Sequence, residues 1–251
     1  MMAGSSLPCL ETYMTRVLDG DRNGCRKIFE TARRDFETPI QLFTDLIWPA
    51  MERTQQLYRQ DRINTTIEHM ATRINRQLAD QVRQYLGSPQ PNGRKIVMMC
   101  ADHEPEELGG QMTADLFEAQ GWEVFFLGGG VPNDEVMSFL GRINPDLLLI
   151  FGTMPQGVPG IRKLIDTMRE IGMCPTMNVL ISGGVFNRAD GLWEEVNADL
   201  YAPDAVEALT IADKSEPRKP PPIPAGGPKK RRRRRRSPYL ANETNTPVAT
   251  A

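Results

Sequence analysis

The 251 residues, 40% hydrophobic and 25% charged, suffice for one or two domains with cores of their own and read as an ordinary soluble composition. No apolar run approaches the ~18 residues of a membrane span, the amino terminus lacks a basic segment followed by an apolar one, and Cys9, Cys25, Cys100 and Cys174 form no closely spaced pair. The composition thus argues against a membrane protein, a leader-bearing chain and a disulfide scaffold, and a cytoplasmic protein with reduced thiols is expected.

The net charge of −2 conceals an asymmetry: residues 214–251 hold 11 of the 30 Lys and Arg but 2 of the 32 acidic residues. An acidic body precedes a strongly basic tail.

Residues 7–88 read as helices. Leu10, Met14, Val17 and Leu18 share one face of the first, and Asp21 is placed to cap the second. A third helix is predicted over 39–60, kinked or restarted at Pro49, and a fourth over 64–86 with Ile67, Met70, Ile74, Leu78, Val82 and Leu86 in steps of three and four. Four amphipathic helices with short connections predict an antiparallel bundle. "GSPQPNG" (87–93) is a linker by its turn-forming residues.

The period then changes. Apolar runs at 96–99, 124–127, 147–150 and 178–181 are separated by helical stretches near 108–121, 133–143, 157–172 and 203–213, with a shorter helix near 189–195 and a weak fifth strand near 199–201. Continuous apolar strands alternating with helices predict an α/β fold: a five-stranded, flavodoxin-like parallel sheet over residues 94–213, covered on both faces. Residues 214–251 hold too little apolar surface to fold and are expected to be disordered.

The bundle, the α/β unit and three motifs together resemble cobalamin-binding proteins, among them the light-sensing cobalamin-dependent transcription regulators and the corrinoid proteins of methyltransferases, including methionine synthase. The resemblance covers roughly residues 8–213 and leaves out the tail; no DNA-binding helix-turn-helix precedes the bundle. It implies a corrinoid held between bundle and sheet. In the first motif the light sensors carry Trp, nine residues, then Glu-His. Here Tyr58 stands in the aromatic position before Glu68 and His69. The resemblance implies that Tyr58 covers the ring.

The second motif, acid-x-His-x-x-Gly after the first strand, falls on Glu104 to Gly109, with Leu108 just before the glycine and Glu106 where the family has its cobalt-ligand histidine. A carboxylate is a harder ligand than imidazole and suits cobalt less well. His103, three residues earlier, is the fallback ligand by residue type alone. Read from the residues, the same acids are also what a solvated loop carries. The third motif places Thr153 after the third strand, Phe151 where the family has a serine supporting the histidine, and Gly183-Gly184 after the fourth. The resemblance implies that this glycine pair lets backbone approach the nucleotide arm of the corrinoid. Any α/β strand-to-helix turn accounts for the glycines equally well.

The expected function is a cobalamin-binding sensor or regulatory module without a protein histidine ligand. The alternative is a degenerate, non-binding relative acting as an interaction protein. In either case the run Lys229, Lys230, Arg231, Arg232, Arg233, Arg234, Arg235 and Arg236 is suited to phosphates, as in nucleic acid, or to an acidic protein surface. No nucleophile–base pair or phosphate loop is evident, so the chain is expected to be at most a corrinoid carrier for a partner enzyme. A homo-oligomer is compatible with the sequence, and no membrane partner is expected.

Overall fold

The computed structural model describes residues 6–87, 89–101 and 107–219. Glu104, Glu106 and His103, and the basic run 229–236, lie outside them, as does nearly all of the expected tail.

Helix α1 (Ser6–Leu18) leads to α2 (Arg22–Asp35), which is capped as expected: Asp21 accepts a hydrogen bond from the Gly24 amide at 2.9 Å. The third helix is continuous over 40–59 but changes pitch within it. A wide π-type stretch, Leu42–Ile47, runs directly into α3 (Trp48–Arg59). Pro49 follows this wide stretch, at the point where the pitch returns to that of an α-helix. Helix α4 (Thr65–Val82) starts at Asn64, whose side chain accepts from the Ile67 amide, and ends in a tighter turn, Arg83–Tyr85.

Tyr13, Phe29, Phe43, Leu46 and Leu78 fill the centre of the bundle, and the Tyr13 hydroxyl donates to Asn75 Oδ1 at 2.8 Å. This core does not stop at the bundle. Leu108, Met112 and Leu116, on one face of α5 (Leu108–Ala119), belong to the same apolar cluster. Residues up to Lys219 accordingly form one compact unit.

The α/β part contains β1 (Lys95–Cys100), β2 (Glu123–Gly128), α6 (Asn133–Ile143), β3 (Leu147–Phe151), α7 (Val158–Ile171), β4 (Asn178–Ser182), the short α8 (Gly184–Asn187) and α9 (Leu192–Glu195), β5 (Leu200–Ala202) and α10 (Ala205–Lys214). The short helix expected near 189–195 is found as α9, and α8 before it was not expected. All strands pair in parallel in the order β2-β1-β3-β4-β5, which is flavodoxin-like. The strand order reverses beside β1, so the carboxyl ends of β1 and β3 open the crevice where such sheets place ligands.

The chain stays ordered beyond the expected boundary at 214. Lys214 closes α10, and residues 215–219 run along the amino-terminal edge of the sheet. There the Arg218 amide donates to the Thr176 carbonyl, and Asn178 Nδ2 donates to the Glu216 carbonyl. Asp199 takes hydrogen bonds from Arg169, from Arg218 at 3.0 Å and from the Val179 amide at 2.8 Å. A composition-based boundary misses this strap because its partners lie far off in sequence.

Candidate functional site

A cavity of about 450 Å3 lies between α3 and the carboxyl-terminal edge of the sheet. Its upper wall is one face of α3, with Trp48, Met51, Gln55 and Arg59 at successive turns. Its floor is made by Gly109 at the start of α5, Phe151 and Thr153 at the end of β3, and Gly183 and Gly184 after β4. Asn187, Arg188 and Pro203 form the far wall. The shape is a slot, broad and mostly apolar, closed by a helix above and by strand ends below.

The walls are held from behind. Trp48 Nε1 donates to Glu52 Oε1 at 3.1 Å, which fixes the indole along the slot. Gln55 Nε2 donates to Glu68 Oε1 at 3.2 Å, linking α3 to α4. Glu68 is buried and also accepts from Thr72. Asn187 Nδ2 donates to the Pro203 carbonyl and its Oδ1 accepts from the Tyr201 hydroxyl, while Arg188 Nη2 donates to the Thr153 carbonyl at 2.7 Å.

The expected site residues separate into three groups. Gly109, Thr153, Gly183 and Gly184 all line the slot. Glu68, His69, Tyr58 and Leu108 do not. Glu68 acts one layer back through Gln55, and the His69 side chain is 65% exposed with its Nε2 at 3.6 Å from Glu68. Leu108 is fully buried in the core shared by bundle and α5.

Tyr58, expected to cover a ring, lies on the outer surface, where its hydroxyl meets Thr65 Oγ1 at 3.3 Å. At this end of α3 the slot is lined by Arg59 and Gln60, while the Tyr58 hydroxyl turns to Thr65 at the start of α4. The aromatic of α3 on the slot is Trp48, which pattern matching passed over. The third group, Glu104, Glu106 and His103, falls outside the described residues.

The floor is braced by close contacts within the chain. A Cβ placed on Gly109 would sit 2.5 Å from Phe151 Cζ, so the Phe151 ring lies directly on the glycine. Gly183, with φ of +110°, packs against the backbone of Gly152, and a Cβ on Gly184 would meet Arg188 Nη1 at 2.8 Å. Beside the floor, Glu107 at the start of α5 accepts from the Gly129 amide at 2.6 Å, joining the β1–α5 and β2–α6 connections. Among the described residues no three His, Cys, Asp or Glu side chains converge as metal ligands.

Comparison with known proteins gives two matches to B12 binding domains, over residues 9–82 and 94–210. Dimethylamine corrinoid protein 3 of Methanosarcina mazei is 27% identical over 118 residues, 47% of this chain and 69% of that protein. The corresponding match to dimethylamine corrinoid protein 1 of Methanosarcina acetivorans is 26% identical and spans about half of that relative, 54%. Methionine synthase of Mycobacterium tuberculosis is 19% identical over 83% of this chain, which is 18% of that enzyme. The solved monomethylamine corrinoid protein of Methanosarcina barkeri superposes with a TM-score of 0.75 at 16% identity, covering 83% of this chain and 98% of that one, and so shares the fold. Helical part, sheet and the slot between them correspond to the two matched segments, and the chain belongs to the B12-binding domain family, whose cofactor is cobalamin.

Proposed function

We propose that the chain is a corrinoid-holding regulatory module, in which the macrocycle lies flat between α3 and the sheet edge and is gripped without a protein imidazole. The observation that carries this reading is the slot itself, an apolar space with an indole fixed along one wall and strand ends opposite. Such a site binds by burying surface, with a few placed polar groups setting orientation. A bound corrinoid supplies the organometallic chemistry of its cobalt. The chain's own residues hold and shield: Trp48 covers apolar surface, Gln55 with Glu68 keeps α3 at its distance, and Asn187 with Arg188 fixes the far wall.

Glu106 at the family ligand position, and Phe151 at the position of its supporting serine, favour a sensor over a methyl carrier. An imidazole at that position would tune a bound metal, and a carboxylate would do so less well. The Phe151 ring packed on Gly109 supports a second reading, an interaction protein that no longer holds a corrinoid.

Mixing the purified full-length chain with hydroxocobalamin or cobinamide, then following absorbance and co-elution on gel filtration, separates the two. Retention of either corrinoid, weakened about tenfold or more by Trp48→Ala, is the expected result. Retention of neither at micromolar protein sinks the first reading and leaves the second.

A further inference from the structure

The α3 wall of the slot carries a hydrogen-bonding polarity. We propose that Gln55 presents a carbonyl acceptor on that wall, and that the site therefore favours a corrinoid whose face toward α3 bears a donor, a coordinated water, over one capped by a methyl group. The inference rests on the corrinoid reading above and deepens it.

The direction of an amide is set by its partner. Glu68 is buried on α4 and, as a carboxylate, can only accept hydrogen bonds. One of its oxygens takes both Gln55 Nε2 at 3.2 Å and Thr72 Oγ1 at 3.3 Å. Gln55 Nε2 is thereby committed to the bundle, and the other branch of the trigonal amide, Oε1, is left for the slot that Gln55 lines. Turning the amide over would set two acceptors against each other on a buried carboxylate.

The neighbours of Gln55 make its oxygen the acceptor that a ligand on this wall meets. Met51, one turn before, is apolar, and Trp48 donates its N–H to Glu52. Arg59, one turn after, directs Nε to the Gln55 backbone carbonyl at 3.3 Å and not to the side chain. Glu52, Gln56 and Gln60 also line the slot but are exposed to solvent, whereas Gln55 is half-buried. A partly buried acceptor gains from a donor and loses when an apolar group displaces its water. Water on a metal is a strong donor because the ion polarises its O–H bonds, and a methyl group offers no donor at all.

Hydroxocobalamin in mildly acidic buffer, where water is the ligand, and methylcobalamin have the same ring and the same nucleotide arm, so comparing them leaves the floor of the slot out of the question. Absorbance titration of the full-length chain in the dark, read with ultrafiltration of the mixtures, is expected to show the aquated form bound about fivefold tighter or more. Gln55→Met, similar in shape but without the acceptor, is expected to remove most of that preference. Glu68→Gln, which lets the Gln55 amide point either way, is expected to reduce it with Gln55 still in place. A pH titration of the bound pigment gives a second readout. An acceptor favours bound water over hydroxide, so the midpoint of the spectral change should lie about half a unit or more above that of the free pigment, and Gln55→Met should bring it back down. Equal binding of the two cobalamins by the unaltered chain, or a midpoint no higher than that of the free pigment, overturns the role of Gln55 and leaves the corrinoid reading intact, and neither measurement needs a variant to fold. A preference that persists unchanged in Gln55→Met overturns it likewise. Binding of neither cobalamin overturns both.

Discussion

At the scale of single residues, Asp115 is the most perturbed carboxylic acid among the described residues. Burial on α5 pushes its pKa up from its ordinary 3.8 to about 6; Arg83 at 3.5 Å pulls it down, and Glu118 and Asp80 push it up again. Burial wins because one guanidinium, itself shared with Glu118, does not offset the loss of water. The sign follows directly. Between about pH 4 and 6 the folded chain holds a proton that the unfolded chain has released, so this group's contribution to stability falls as pH rises through that window. Asp115→Asn should flatten the dependence of Tm on pH between 4 and 6. Above pH 6 it should raise Tm by roughly 2–4 °C, the shift for about 1 kcal/mol in a chain of this size. Thermal melts at a series of pH values decide it, and an unchanged slope would mean that the carboxyl titrates normally. The thiols of Cys9, Cys25 and Cys174 are likewise pushed up by burial, Cys25 to about 11, which suits packing groups better than reactive ones.

At the scale of elements, the contact between β3 and α5 is the one on which the floor depends. Gly109→Ala drives a methyl into the Phe151 ring and should cost about 1–3 kcal/mol by overpacking, reduced by the better helix propensity of alanine. Phe151→Ala should cost about 3–5 kcal/mol by leaving a cavity. Together the two changes should cost less than their sum, since the methyl enters the space the ring vacates. Chemical denaturation of the four proteins in the cycle measures the coupling, and strict additivity would show that the two positions do not share space.

The strands were legible because a parallel sheet buried on both faces turns each strand into an apolar run; 147–150 and 178–181 sit inside β3 and β4 almost residue for residue. Helix existence was legible for the same kind of reason. Helix orientation was less so. The slot-facing side of α3 mixes Trp48 and Met51 with Gln55 and Arg59, and no hydrophobic periodicity marks a face whose purpose is to meet a ligand. A motif spacing chose Tyr58, and helical phase does not rule it out, since it stands seven residues after Met51; its hydroxyl is drawn instead to Thr65.

At the scale of the whole molecule, bundle and sheet are bound through α5, which gives one face to each. At the opposite edge Asp199 clasps Arg169 on α7 and Arg218 on the strap, and orders the first turn of β4 through the Val179 amide. Asp199→Asn would leave two half-buried guanidiniums facing each other and should cost about 2–3 kcal/mol, below the range for a fully buried pair because all three side chains are partly wet. It should also speed trypsin cleavage at Arg218 in the native protein. A cleavage rate equal to the parent's would mean that the strap is held by its backbone bonds alone. None of this was legible locally, since the clasp joins residues 169, 199 and 218 and the composition turns tail-like near 214.

The strap has a practical consequence. It fastens the chain at the amino-terminal edge of the strands, whereas the slot opens at their carboxyl-terminal edge. A biotin handle or fluorescent fusion attached after Lys219 therefore departs from the side away from the mouth of the slot. Copies anchored to a sensor chip by that end would still present an unobstructed mouth to dissolved pigment.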